Sequence, residues 1–169
     1  MSDRTLSDAV EKLIDVIGQE AALFESFLDL LEQQQQALVT NDVDCLGRIT
    51  DALREKTVHN QILNRQREEI IDDIRRVNAI EGDLSVGRLL ALVEHQQADQ
   101  LRHLRQVIFE LHDKITDTRN HNATLINRSR EYVAKTMSLL AKVGKPGSAY
   151  AATGASDTPD HTVAVDWRA

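Results

Sequence analysis

Both prolines of this chain, and three of its seven glycines, lie after residue 143. Everything before that point is nearly free of the residues that break helices. Through the same stretch, apolar residues recur at alternating steps of three and four, the period of a helix that buries one face. These two features point to an all-α fold, an antiparallel bundle of long helices. Composition agrees: aromatic residues make up 4% and charged residues 28%, a balance common in coiled coils and helical bundles. A chain of 169 residues suits one domain with a useful core.

Three helical segments are predicted. The first runs from about Leu6 to Val39, with a seam of Leu6, Val10, Leu13, Ile17, Glu20, Phe24, Phe27, Leu31, Gln34 and Leu38, widened on one side by Ile14, Ala21 and Leu28. Thr40-Asn41-Asp42 then supplies turn and capping residues. The second seam reads Leu46, Ile49, Leu53, Lys56, Asn60, Leu63, Arg67, Ile70, Ile74 and Val77. Its polar members, Lys56, Asn60 and Arg67, are expected to snorkel at the edge of the interface. A turn follows over 78–83 with Gly82 inside it, and Asp83 or Ser85 caps the next helix.

The third segment starts near Ser85 and meets no strong stop before Gly144. After a polar stretch from Glu94 to Gln100 its seam resumes as Leu101, Leu104, Ile108, Leu111, Ile115, Thr118, Asn122, Leu125, Ser129, Tyr132, Thr136, Leu139 and Val143. Thr116 to Asn120 has low helix propensity, so a break near Asn120 is the expected weak point. The chain thus divides into a helical domain, 1–143, and a C-terminal tail, 144–169, whose Gly, Ser, Ala, Thr and Pro content reads as flexible. The last residues, Val163 to Ala169, alternate apolar side chains but are too few to stand as a sheet.

Helix lengths do not match. Two short turns make successive helices antiparallel, and the third, paired from the 79–84 turn, uses up the second by about residue 120. Roughly 23 residues, on the order of 35 Å, then run past their partners. That overhang is amphipathic, with Leu125, Ile126, Tyr132, Val133, Leu139 and Leu140 on one stripe and Met137 beside it. Burying each such side chain is worth about 1.5–3 kcal/mol, and a soluble protein rarely leaves such a stripe bare. A fold-back into a fourth helix, a second copy in a homo-oligomer, or a client's helix would each cover it.

No catalytic constellation is present. Glu-x-x-His pairs of di-iron bundles, Gly-rich phosphate loops, nucleophile elbows and His-Glu-x-x-His are all missing. Successive steps of nine place His103, His112 and His121 on alternating helix faces, so they cannot form one metal cluster. His95, Asp99 and His103 share a face, but read more simply as solvated polar residues. The single cysteine, Cys45, excludes an intrachain disulfide and fits a reducing compartment. A net charge of −7 argues against nucleic acid. No apolar run suits a signal core or a membrane span, so no direct membrane insertion and a cytoplasmic location are expected. The expectation is a binding protein without enzyme activity, cofactor or metal.

The most specific stretch is Arg119-Asn-His-Asn-Ala-Thr-Leu-Ile126, then a helix with Tyr132, then Ser148-Ala-Tyr-Ala-Ala-Thr-Gly154. It resembles the FlgN family of flagellar type III export chaperones, in which an Asn-x-Asn precedes apolar residues, a helix of about 20 residues and a Tyr-Gly-x-x-Gly-like tail. Gln33-Gln34-Gln35-Gln36-Ala37-Leu38 before Asn41-Asp42, and Glu55-Lys56 with Arg67, agree in style. Ala151 departs from the pattern, standing where a glycine follows the tyrosine.

The resemblance implies a chaperone for the hook-filament junction proteins FlgK and FlgL, bound through their C-terminal helical regions and kept from premature self-association. It implies client contact by the amphipathic helix, here Leu125, Ile126, Tyr132, Val133, Leu139 and Leu140, with Asn120 and Asn122 orienting or capping that region. It also implies docking on the export gate protein FlhA through Tyr150. A coiled-coil adaptor or self-assembling bundle with no delivery role is the alternative.

Overall fold

The computed structural model describes residues 2–80, 82 and 84–143, with side chains from Leu6 onward. The described residues form four helices and no strand: α1 (Ser2–Thr40), α2 (Val43–Val77), α3 (Val86–Leu92) and α4 (His95–Val143). The chain divides into two compact units, Met1–Arg130 and Glu131–Ala169. Asp83 and the tail over 144–169, Tyr150 and Val163–Ala169 included, lie outside the described residues.

Local chemistry explains each joint in the first unit. Asn41 ends α1 with φ of 56°, a left-handed conformation that asparagine tolerates better than most residues. Asp42 then caps α2, its Oδ1 accepting from the Cys45 N–H at 2.9 Å. The turn after α2 uses Ala79 at φ 49° and Gly82 at φ 78°. Ser85 caps α3, its Oγ accepting from the Arg88 N–H at 3.3 Å.

The third predicted helix is in fact two. It breaks at Val93, whose backbone is extended (φ −103°, ψ 159°), and not near Asn120. The break lets Leu89 and Leu101 join one buried cluster with Leu6, Val10, Leu13 and Ile74. An unbroken helix would hold Leu89 and Leu101 about 18 Å apart along its axis. Past that point α4 runs through Thr116–Asn120 without interruption. The threonines there do not compete with the helix: Thr118 Oγ1 donates back to the Lys114 carbonyl at 2.8 Å and Thr124 Oγ1 to that of Asn120 at 3.0 Å. Packing of Ile115, Thr118 and Asn122, all buried or half-buried, overrides weak propensity.

Helix directions follow from paired residues. Glu20 of α1 meets Arg67 of α2 at 3.4 Å, and Leu13 shares a cluster with Ile74, so α1 and α2 are antiparallel. Gln97 Nε2 donates to the Ser7 carbonyl at 3.0 Å and Asn122 Nδ2 to that of Leu31 at 2.8 Å. Contacts 25 residues apart on α4 thus land 24 residues apart on α1, and these two helices run parallel.

Candidate functional site

The second unit supplies the site. From Glu131 to Val143, α4 places Tyr132, Val133, Met137, Leu139, Leu140 and Val143 within an arc of about 160°. Glu131, Lys135 and Lys142 fall on the other side of the same helix. The helix is regular through this stretch, and Thr136 Oγ1 donates to the Tyr132 carbonyl at 2.9 Å instead of reaching outward. All six apolar residues are exposed; Tyr132 is 73% exposed and Leu140 62%. With the Thr136 hydroxyl spent on its own helix, the arc itself has no polar chemistry to offer except the Tyr132 hydroxyl. What it can do is bury an apolar seam of matching spacing.

The other sequence-predicted residues sit in the first unit and differ among themselves. Ile126 is 38% exposed. Leu125 is half-buried. Asn120 is exposed, and its carbonyl accepts from Thr124 Oγ1. Asn122 is 2% exposed, and its amide is spent inside, on the Leu31 carbonyl and on Gln34 Oε1 at 3.0 Å. Its side-chain NH2 therefore ties α4 to α1 from a buried position. Tyr150 lies outside the described residues.

Four of the polar seam positions pair across helices. Glu20 is 3% exposed and meets Arg67, whose guanidinium also donates to Asn64 Oδ1. Burial pushes the Glu20 carboxyl above its ordinary value, and the Arg67 charge acts the other way. Gln34 pairs with Asn122 in the same fashion. Arg67, expected to snorkel, does keep its head half-exposed, but it does so while paired with a buried carboxylate.

His95 Nε2 lies 3.3 Å from Asp99 Oδ2 on the surface, and Arg102 takes the other carboxylate oxygen at 2.8 Å. Among the described residues no group of three or more His, Cys, Asp or Glu side chains could hold a metal ion. None of the described helices is long and apolar enough to cross a membrane.

The family model for FlgN protein matches residues 1–158, nearly the whole chain. The chain belongs to the FlgN family. FlgN proteins are flagellar assembly and export chaperones, not enzymes. No curated protein and no solved structure matches the chain.

For a FlgN-family chain, the apolar stripe was legible because period 3.6 persists in α4 after its first-unit seam ends. Two other features were missed. One is Phe109, 63% exposed beside a groove on α4; it falls one position off the seam residue Ile108, so a strict heptad count skips it. The other is the pairing of Glu20 with Arg67 and Gln34 with Asn122, which single-helix seams cannot reveal although all four residues lie on them.

Proposed function

We propose that the chain is a cytoplasmic chaperone that holds the C-terminal helical regions of the junction proteins FlgK and FlgL on α4 and delivers them to the export gate protein FlhA. One observation carries the reading: six large apolar side chains between Tyr132 and Val143 stand exposed on one arc of a helix. A client helix laid on that arc with apolar anchors at i, i+3, i+4 and i+7 would cover it. Client helices that would otherwise pair with each other would then be occupied, which is how self-association is delayed. Leu125 and Ile126 add client contacts from the first unit, and Asn120 and Asn122 orient that stretch of α4. Tyr150 provides the gate contact: an aromatic ring anchors in a pocket while its hydroxyl takes a hydrogen bond.

The test is co-precipitation of the full chain with the C-terminal segment of FlgK or FlgL. Leu139→Asp with Leu140→Asp should cut client capture at least about tenfold, since each buried leucine is worth about 1.5–3 kcal/mol. Circular dichroism should show unchanged helical content, because both side chains are exposed. Undiminished capture, or unfolding of the variant, contradicts the proposal. Sedimentation without client separates the adaptor alternative: a stable oligomer that the same substitutions dissolve would assign the arc to a second copy.

A further inference from the structure

A groove of about 310 Å³ opens along the first unit. Ile17 of α1, Ile71 of α2, Leu89 of α3 and Leu101 and Ile108 of α4 line it, and Phe109 stands exposed on its edge. All these residues lie within Met1–Arg130, whereas the arc over 132–143 belongs to the second unit. It is roomy enough for a few side chains and far too small to enclose a helix. From Leu101 to Phe109 it follows α4 for about 12 Å, close to the span of apolar anchors at i, i+4 and i+7 on a docked helix. Antiparallel α2 and α4 with an apolar trough between them offer the seat that one more helix takes in a bundle.

The charges left unpaired on the two walls are opposite, since Arg67, which also lines the groove from α2, is paired with buried Glu20. On α4, exposed Arg105 stands one turn from both Leu101 and Phe109 and lines the groove. Its neighbour Arg102 is paired with Asp99, whereas among the described residues no carboxylate pairs with Arg105. On α2, exposed Glu68 lines the opposite wall and is held by the Asn64 amide at 3.0 Å. Flanking charges of this kind select the partner and its direction in helix pairing.

We infer that the groove seats one amphipathic helix of a partner protein, with acidic side chains toward the α4 wall and basic ones toward the α2 wall. A second copy is the poorer occupant, because each copy carries a net charge of −7 and like charge opposes association.

The probe is a fluorescent synthetic helix of about three heptads with a leucine seam, titrated into the full chain and followed by anisotropy. One version has glutamate on one flank and lysine on the other; a second has lysine on both. Wild type should favour the mixed peptide over the all-lysine one more strongly than Arg105→Glu does, the affinity ratio shifting at least about tenfold. A photo-cross-linker in the peptide seam should label 64–75 and 101–109. Phe109→Asp, at an exposed position, should weaken the mixed peptide about tenfold or more. An unchanged ratio, labelling confined to 131–143, or a dimer that Phe109→Asp dissociates would each overturn the proposal.

Discussion

The Asn122 side-chain amide crosses from α4 to α1 and donates to the Leu31 carbonyl at 2.8 Å, an oxygen already inside a regular helix. A second lone pair on that oxygen makes the contact available without breaking α1. Asn122 Oδ1, by contrast, is buried with no hydrogen-bond partner among the described residues. The residue thus gains two bonds, to Leu31 and Gln34, and carries one unsatisfied acceptor.

Opposite effects of two substitutions follow. Asn122→Ala removes both bonds and leaves a void, so it should destabilise by about 1–2 kcal/mol. Asn122→Leu keeps the branched four-atom shape, though it is bulkier, and removes the orphan acceptor, so thermal stability should fall less than for alanine. Urea unfolding of the two variants checks the order. A larger loss for leucine would mean that the polar contact sets helix register.

Glu20 gives a pH signature. Its carboxyl is raised above 4.5 by burial, with Arg67 opposing. The folded chain therefore binds this proton more tightly than the unfolded chain, and stability from this group is lost as pH rises from 4.5 through the raised value. Glu20→Gln should be as stable as wild type or more so at pH 7, and the difference should close as pH falls toward 4.5. Arg67→Ala should cost about 1–2 kcal/mol at pH 7, a figure reduced for the partial exposure of Arg67, and should recover on acidification. Unfolding free energies measured between pH 4 and 8 (about one point per unit) test both signs.

Much of the helical frame could be read from spacing alone. Every α4 seam position from Leu101 to Leu125 is buried or half-buried, because one face of a straight helix keeps its period. On α1 the reading was less accurate. Val16, Leu23 and Ala37 are buried, while Ile17, Phe24 and Phe27 are only half-buried. α1 meets both α2 and α4, so its covered arc is wider than one heptad seam and extends to the side opposite Ile14 and Leu28. The break at Val93 was hidden for a related reason. Nothing in Leu92-Val93-Glu94 stops a helix, and what turns the chain is the tertiary gain of bringing Leu89 into the core. The exposed arc was legible as amphipathic, but no periodicity states what covers it.

The short helix α3 is held by one buried side chain. Leu89 is 6% exposed, and its neighbours in the cluster come from α1, α2 and α4. Leu89→Ala should destabilise by about 2–4 kcal/mol. Ser85→Ala, which removes the cap, should cost about 1 kcal/mol. Thermal melts give the totals, and hydrogen exchange should show the Ser85→Ala loss concentrated in 84–92.

If client binding and gate docking are separate, they should be separable by mutation. Tyr150→Ala should leave FlgK capture unchanged and weaken the contact with FlhA about tenfold or more, as truncation of an aromatic anchor does. Parallel binding measurements on one preparation decide this, and loss of both contacts together would contradict the division.

The most direct test of the exposed arc is hydrogen exchange of the full chain with and without the C-terminal segment of FlgK. Client binding should slow exchange of the amides over 131–143, where the apolar side chains are now bare. Binding with no protection in that stretch, and protection only elsewhere, would contradict the account.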